Sequence, residues 1–393
     1  MSSPARQSGA DAAAPRARAL RPAVLVLTAV VVLAAGWLAV TFPGAPAVEV
    51  ARIPEGGRMP RAVIDPAGTV HVIYFEGVMS GGDLLHVSRA AAGSGWTDPV
   101  RVNSERRSAV GMGPIDGGQV ALDSAGRLHA VWFQTNPTRI FYARSGAGGA
   151  GFEPQRTLWQ EEDGSFEAAP TVAAGSDGGV YVFWHAGGRE DADRAVHMAA
   201  SRDGGDTFDP VRRVSQAGEG ACGCCNMAAL AGGSGEVHVS YRSARENIRR
   251  DQRLLLSADA GATFEDKPID EWEIGACPVT TTTLGAAPDA ARVAWETDGR
   301  VYYAPVDRLD APVEPEGEAR FRRKNPVVAV NSRGDTLLVW GDGPGLRAGG
   351  TLHWRLFDAG GRPIGEQGDD TTVPSGSAPA AIVKPDGSFL LLF

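Results

Sequence analysis

Residues 59–77 read MPRAVIDPAGTVHVIYFEG. A short apolar run meets a turn built from Asp, Pro and Gly, and a second, alternating run follows and ends in aromatics. This is the signature of a β-hairpin. The pattern returns as GGQVALDSAGRLHAVWFQ (117–134), APTVAAGSDGGVYVFWHA (169–186) and CNMAALAGGSGEVHVSYR (225–242). It continues as CPVTTTTLGAAPDAARVAWE (277–296), NPVVAVNSRGDTLLVWGD (325–342) and APAAIVKPDGSFLLLF (378–393). The equivalent first positions are Pro60, Gly118, Pro170, Asn226, Pro278, Pro326 and Pro379, spaced 48 to 58 residues apart.

Two further strand-like runs lie between successive hairpins, for example RIFYARS (139–145) with PQRTLW (154–159). Four strands in a period of about 50 residues make one blade of a β-propeller. The expected fold is therefore all-β, with seven blades by repeat count, the last one short, and six as the alternative. The segment VEVARI (48–53) precedes the first unit and reads as an outer strand that completes the last blade and closes the ring, leaving no free edge.

Two loops between third and fourth strands match S-x-D-x-G-x-T-F: SRDGGDTF (201–208) and SADAGATF (257–264). Weaker relics stand at 88–96 and 145–152. The motif resembles the Asp box, or BNR repeat, of the sialidase-like propellers, and the resemblance covers residues 48–393. Its chemistry is that of a turn. Asp203 and Asp259 are suited to cap backbone amides, Ser201 and Ser257 to bond locally, Gly205 and Gly261 to take positive φ, and the Phe to pack between blades.

Propeller topology then sorts the residues by face. The Asp-box loops fall at the bottom. The top holds residues just before first strands (Arg58, Glu167, Cys222, Cys224, Cys225, Cys277, Asn325) and just after second strands (Glu76, Gln134, His185, Arg242, Glu296, Asp342). The resemblance implies a glycan site there: an arginine clamp for a substrate carboxylate, an aspartic acid/base and a Tyr–Glu nucleophile. Arg58, in an in-register RMP (58–60), and Arg242 fit the clamp, while Glu76 and Glu296 point to the mouth as candidate catalytic acids. RIP at 52–54 lies six residues out of register, and Asp83, Tyr302 and Tyr303 sit in strand contexts. His185 and Asp342 are candidate ligand-binding residues. His71, His129 and His238 recur at one strand position, which marks packing. Arg249 and Arg250 read as a solvated loop of mixed charge.

The four cysteines occupy equivalent places on neighbouring blades, so all four should meet at the channel mouth. Three disulfide connectivities exist: 222–277 with 224–225, 224–277 with 222–225, and 225–277 with 222–224. A thiolate site for Cu(I) or Zn(II) is the other reading, although C-x-C-C lacks the usual C-x₂-C spacing. A similar C-x-C-C, then YR, then CP is expected in a subset of sialidase-like propellers. Two functions stay open. One is glycan binding or hydrolysis at the top face. The other is a non-catalytic propeller that binds a metal ion or a protein partner through Cys222, Cys224, Cys225 and Cys277.

The N-terminus addresses the chain outward. Residues 23–42, AVLVLTAVVVLAAGWLAVTF, carry no charge and are long enough to span a bilayer core. Arg6, Arg16, Arg18 and Arg21 precede them against Asp11 alone, which keeps residues 1–22 in the cytoplasm. The run exceeds a usual signal-peptide core, favouring an uncleaved single-pass anchor followed by a linker at 43–47; cleavage after Ala47 would secrete the chain instead. Taking those four arginines and one aspartate from totals of 38 basic and 47 acidic residues leaves a net charge of −12 on the exported part. That argues against nucleic acid as a partner.

Overall fold

The structure, a computed structural model, describes residues 44–393 apart from 94, 163–166, 318–321 and 344–348. The expected anchor and basic tail lie outside the described residues. Among the described residues no helix is long and apolar enough to cross a membrane.

The chain forms seven sheets in a ring. Strand β1 (Val48–Ala51) comes first and belongs to the last blade. Blade one is β2 (Arg58–Ile64), β3 (Val70–Val78), β4 (Gly81–Arg89) and β5 (Val100–Arg101). Blade two is β6 (Gln119–Leu122), β7 (Arg127–Gln134), β8 (Thr138–Ala147) and β9 (Arg156–Glu161). Blade three is β10 (Thr171–Ala174), β11 (Val180–Ala186), β12 (Ala195–Ser201) and β13 (Arg212–Arg213), and blade four is β14 (Ala228–Ala231), β15 (Val237–Arg242), β16 (Gln252–Ser257) and β17 (Glu265–Asp270). Blade five has three strands, β18 (Thr283–Gly285), β19 (Arg292–Thr297) and β20 (Arg300–Pro305). Blade six is β21 (Arg323–Val330), β22 (Thr336–Asp342), β23 (Gly350–Phe357) and β24 (Pro363–Val373), and blade seven is β25 (Ala380–Val383) and β26 (Phe389–Leu392) completed by β1.

Four strands in each blade but the short last one was the expectation, and blade five departs from it as well. Its outermost position holds only an isolated bridge between Tyr303 and Val313, because residues 306–312 turn away through Pro305 and Pro312. A proline donates no ladder hydrogen bond, so a regular fourth strand does not form there.

Small residues fill the innermost strands, as in TVAA of β10 and AALA of β14, because seven strands crowd one axis. They line a channel of about 170 Å³ together with Arg61, Gln119 and Asn226. The aromatics of the second strands sit between blades: Trp132, Phe183, Trp184, Tyr241 and Trp295 are essentially buried. Burying such side chains against the neighbouring sheet is the main favourable term, worth about 1.5–3 kcal/mol each.

The two S-x-D-x-G-x-T-F turns fold alike. Asp203 Oδ1 accepts from Ser201 Oγ (2.7 Å) and Thr207 N (2.9 Å), and Asp259 Oδ1 does the same with Ser257 and Thr263 (2.8 and 2.9 Å). The Thr207 and Thr263 hydroxyls, each 2.6 Å from the other carboxylate oxygen, do most to hold the Asp203 carboxyl well below the usual range and the Asp259 carboxyl at about 2, with the bonds above adding to them. Phe208 packs edge-on to Tyr142 of the preceding blade, and Phe264 to Phe183. Gly205, at φ +85°, lies so close to Tyr142 that an added Cβ would stand 1.9 Å from its hydroxyl.

The ring closes through β1, which pairs parallel with β26, Val48 opposite Phe389 and Ala51 opposite Leu392. Within the other blades every pairing is antiparallel. Phe389 N donates to Ala47 O and Ile53 N to Phe393 O, so the two ends of the propeller are held side by side.

Candidate functional site

One end of the ring collects the loops that enter first strands and leave second strands. Cys222 N donates to Arg242 O (2.9 Å), which ties the C-x-C-C turn ahead of β14 to the end of β15. The turn is braced from below. Asp191, in the loop after β11, accepts from Gly223 N (3.2 Å) and Arg250 Nη1 (2.7 Å) and also binds Arg194 Nη1. A Cβ at Gly223 would lie 1.9 Å from the Arg194 guanidinium, so any larger residue there displaces Arg194 from Asp191. Arg250, expected in a solvated loop, is therefore a buried strut: the loop 243–251 folds back on itself, with Ser243 N bonded to Asp251 O.

The brace brings four sulfurs together. Cys224 and Cys277 form a disulfide with Cα atoms 6.3 Å apart, joining blades four and five. Cys222 and Cys225 are free thiols, both buried. Cys222 Sγ lies 3.4 Å from Cys224 Sγ and 3.2 Å from Cys225 Sγ. Of the three connectivities open from sequence, this arrangement matches 224–277, with 222 and 225 as the remaining pair. Cys277 is exposed, whereas Ile115, Ala244 and Val279 cover the other three. Burial pushes the Cys222 thiol up. Burial also opposes ionisation of Cys225, but the hydrogen bond from Cys222 and the Arg242 cation outweigh it, so Cys225 is the first of the pair to ionise.

The expected glycan residues are placed differently. Arg242 is turned inward and is 1% exposed. Its Nη1 donates to Arg250 O (2.6 Å), its Nη2 to Glu296 O, and its guanidinium lies 5.2 Å over the Trp272 ring. With both ends of the fork spent on main-chain carbonyls, it presents nothing to a substrate carboxylate. Glu296 is fully buried, with Oε1 accepting from Gly299 N (2.7 Å) and Oε2 4.0 Å from Lys324 Nζ. His185 is enclosed in blade three with neither ring nitrogen bonded, and burial drives its pKa to about 3. It joins no cluster of metal-ligating groups among the described residues.

Arg58 and Glu76 stay on blade one. Arg58 Nη2 donates to Gly77 O (3.1 Å) over the Phe75 ring, and Glu76 is exposed at a shallow depression with Asp83 and Arg107. Asp342 lines a separate pocket of about 200 Å³ on blade six with Arg323, Trp340, His353 and Trp354. These residues do not share one pocket with the cysteines.

Three residues that sequence reasoning missed do stand at the cysteine centre or beside it. Lys324, next to the expected Asn325, donates to Pro278 O (2.7 Å) and Val279 O (3.2 Å) behind Cys277. Burial lowers its pKa, with Glu296 opposing the shift. Asp191 was masked by lying in an irregular loop. Asp116 precedes the first strand of blade two, one place along from the register position that yielded Glu167 on blade three. Its Oδ2 accepts from Met112 N (2.8 Å) and Gly113 N (3.0 Å), its Oδ1 is buried without a partner, and burial together with Glu167 pushes its pKa up to about 7. The Glu167 carboxylate lies within 4.8 Å of both disulfide sulfurs, and burial raises its pKa as well.

No protein-family model matches the chain, and no curated protein matches it. Solved structures do. An α-L-arabinofuranosidase of Fusarium graminearum bound to an iminosugar inhibitor superposes with TM-score 0.52 at 10% identity, covering 80% of this chain and 93% of that one. A protein of unknown function from Dyadobacter fermentans gives 0.50 at 14%, covering 84% and 99%. A Hadza microbial sialidase gives 0.46 at 13%, covering 78% and 70%. At such identities the likeness is one of fold alone: the β-propeller expected from the sequence is the architecture observed, with seven blades.

Proposed function

We propose that this is an exported, membrane-anchored propeller whose top face binds a soft metal ion, Cu(I) or Zn(II), through its cysteine cluster. The observation that carries the reading is the set of three sulfurs from Cys222, Cys224 and Cys225, all within 4.8 Å of one another and two of them free thiols. Cys224 joins the set as a thiolate once its bond to Cys277 is reduced, and thiolates select such ions over hard ones. Sulfurs spaced 3.2 and 3.4 Å need to spread by only about half an ångström to reach the roughly 3.8 Å edge of a tetrahedral site with Zn–S bonds of about 2.3 Å. Arg242 offsets the charge of Cys225, and the cover of Ile115 and Val279 excludes competing water. Reduced protein should retain one ion per chain by elemental analysis and lose it in Cys222→Ser and Cys225→Ser. A reduced wild-type chain that retains none against a mild chelator rules the reading out.

A glycan-directed reading has one observation of its own. Asp116, held protonated up to about pH 7 beside Glu167, has the ionisation that a glycosidase acid needs. Fluorogenic sialosides and arabinofuranosides test it: turnover lost in Asp116→Asn supports a hydrolase at this face, and no turnover or binding by the parent protein removes it.

A further inference from the structure

The sulfurs are ordered as well as clustered. In order of contact they run Cys277, Cys224, Cys222, Cys225: a bond, then 3.4 Å, then 3.2 Å. Only the first is exposed, and the last two are free. Two buried thiols touching each other and one end of a disulfide have a chemical outlet that isolated buried thiols lack.

We propose that this row is a disulfide relay, in which the Cys224–Cys277 bond migrates inward to become Cys222–Cys225 and frees Cys277 at the surface to exchange with an external disulfide. The relay uses the same cluster as the metal reading but does not depend on it. In the first step Cys222 Sγ attacks Cys224 Sγ and its proton passes to the departing Cys277 Sγ. The Cys222–Cys224 bond forms, the Cys224–Cys277 bond breaks, and Cys277 is left as a thiol at the surface. In the second step Cys225 Sγ attacks Cys222 Sγ and gives its proton to departing Cys224. A Cys222–Cys225 bond replaces Cys222–Cys224. Both steps are isomerisations: one disulfide, two thiols and their two protons are present throughout, and no outside oxidant or reductant is consumed.

The freed Cys277 and Cys224 then form the outward-facing pair. Attack of Cys277 on an external disulfide gives a mixed disulfide, and attack of Cys224 on Cys277 resolves it. The result is a chain with two disulfides and a reduced dithiol product. The two electrons come from Cys222 and Cys225, which the external disulfide never meets. The substrate class is thus an accessible disulfide on a protein or small molecule.

Peptide mapping after brief alkylation of the native, non-reduced protein with N-ethylmaleimide tests the relay. Wild type should carry the label on Cys277, with a bridge found between Cys222 and Cys225. In Cys222→Ser, which keeps the Cys224–Cys277 bond, label on Cys277 should fall to background. In Cys225→Ser, Cys277 should still be labelled, with the bridge stopped at Cys222–Cys224. The proposal is overturned if wild-type Cys277 stays unlabelled in its bond to Cys224, or if label appears on Cys222 or Cys225 with that bond intact. Metal retention by the reduced chain is read separately, so either idea can fail without the other.

Discussion

The junction between blades three and four and the junction between blades four and five are built on opposite principles. At the first the sheets meet through apolar side chains, and the Asp191 contacts to Gly223 and Arg250 stand in the loops at one end. Tyr181, Phe183 and Met198 of blade three interdigitate with Val237, Val239, Tyr241 and Leu255 of blade four, all nearly or fully buried. The second holds only a small apolar group, Val293, Trp295 and Ala304 with Ile269 across the seam. In its place stands a polar column. Ser240 and Thr282 hydroxyls meet at 2.8 Å, Thr282 N donates to Asn226 Oδ1 at 2.7 Å, and Trp295 Nε1 donates to Asp270 at 2.9 Å. Arg242 and the Cys224–Cys277 bridge complete it. A seam built from directed bonds positions groups sharply but leaves a buried unpaired partner whenever one is removed. Reactive sulfurs therefore sit on the seam that needs a covalent staple, and the blade beyond it is one of the two with three strands.

The largest effect should come from the apolar seam. Phe183→Ala should cost about 3–5 kcal/mol by denaturant unfolding, equally with and without reductant. Cys277→Ser should cost about 2–4 kcal/mol, since the bridge closes a loop of 53 residues, and it should abolish the sensitivity of the wild type to reductant. If reductant weakens Phe183→Ala far more than wild type, the two seams are not independent and the comparison fails. Next comes a pH effect. Asp116 is protonated below about pH 7 in the fold and below 3.8 when unfolded, so the folded chain holds an extra proton between those values. Stability from this group is full at low pH and is lost as pH rises through that window, at about 1.4 kcal/mol per unit. Asp116→Asn, which mimics the protonated form, should flatten that slope in melts at pH 5, 6 and 7. The smallest shift should follow Asp203→Ala in a turn at the far end of the ring, a modest fall in Tm. Asp259→Ala should match it, because the two turns make the same bonds.

Much of the architecture was legible because a hairpin announces itself locally. Alternation fixes which residues face a neighbouring blade, and a Gly or Asp turn fixes where the strand reverses, so the stacking of Cys225 near Cys277 followed from register alone. Closure by 48–53 was legible too, though its parallel sense was not, since alternation has no direction. The site was harder to read. Whether Arg242 points to solvent or into the seam depends on how 243–251 folds back, and nothing periodic encodes that. Lys324 and Asn325 differ by one residue, and at Asn325 a positive φ of 56° decides which side chain turns to the cysteines. His185 was expected at the open face because it ends a strand, but the packing of Ala168 and Arg194 around it closes that face.

The clasp of β1 on β26 has a consequence for synthesis. Residues 389–392 lie between β25 and β1, so the earliest strand of the propeller waits, unpaired, for the last to leave the ribosome. Six blades can stack while the circle is still open, but the lock engages only once residues 389–392 have been made. A circular permutant that fuses 393 to 48 and begins between two other blades would remove that wait and should close sooner.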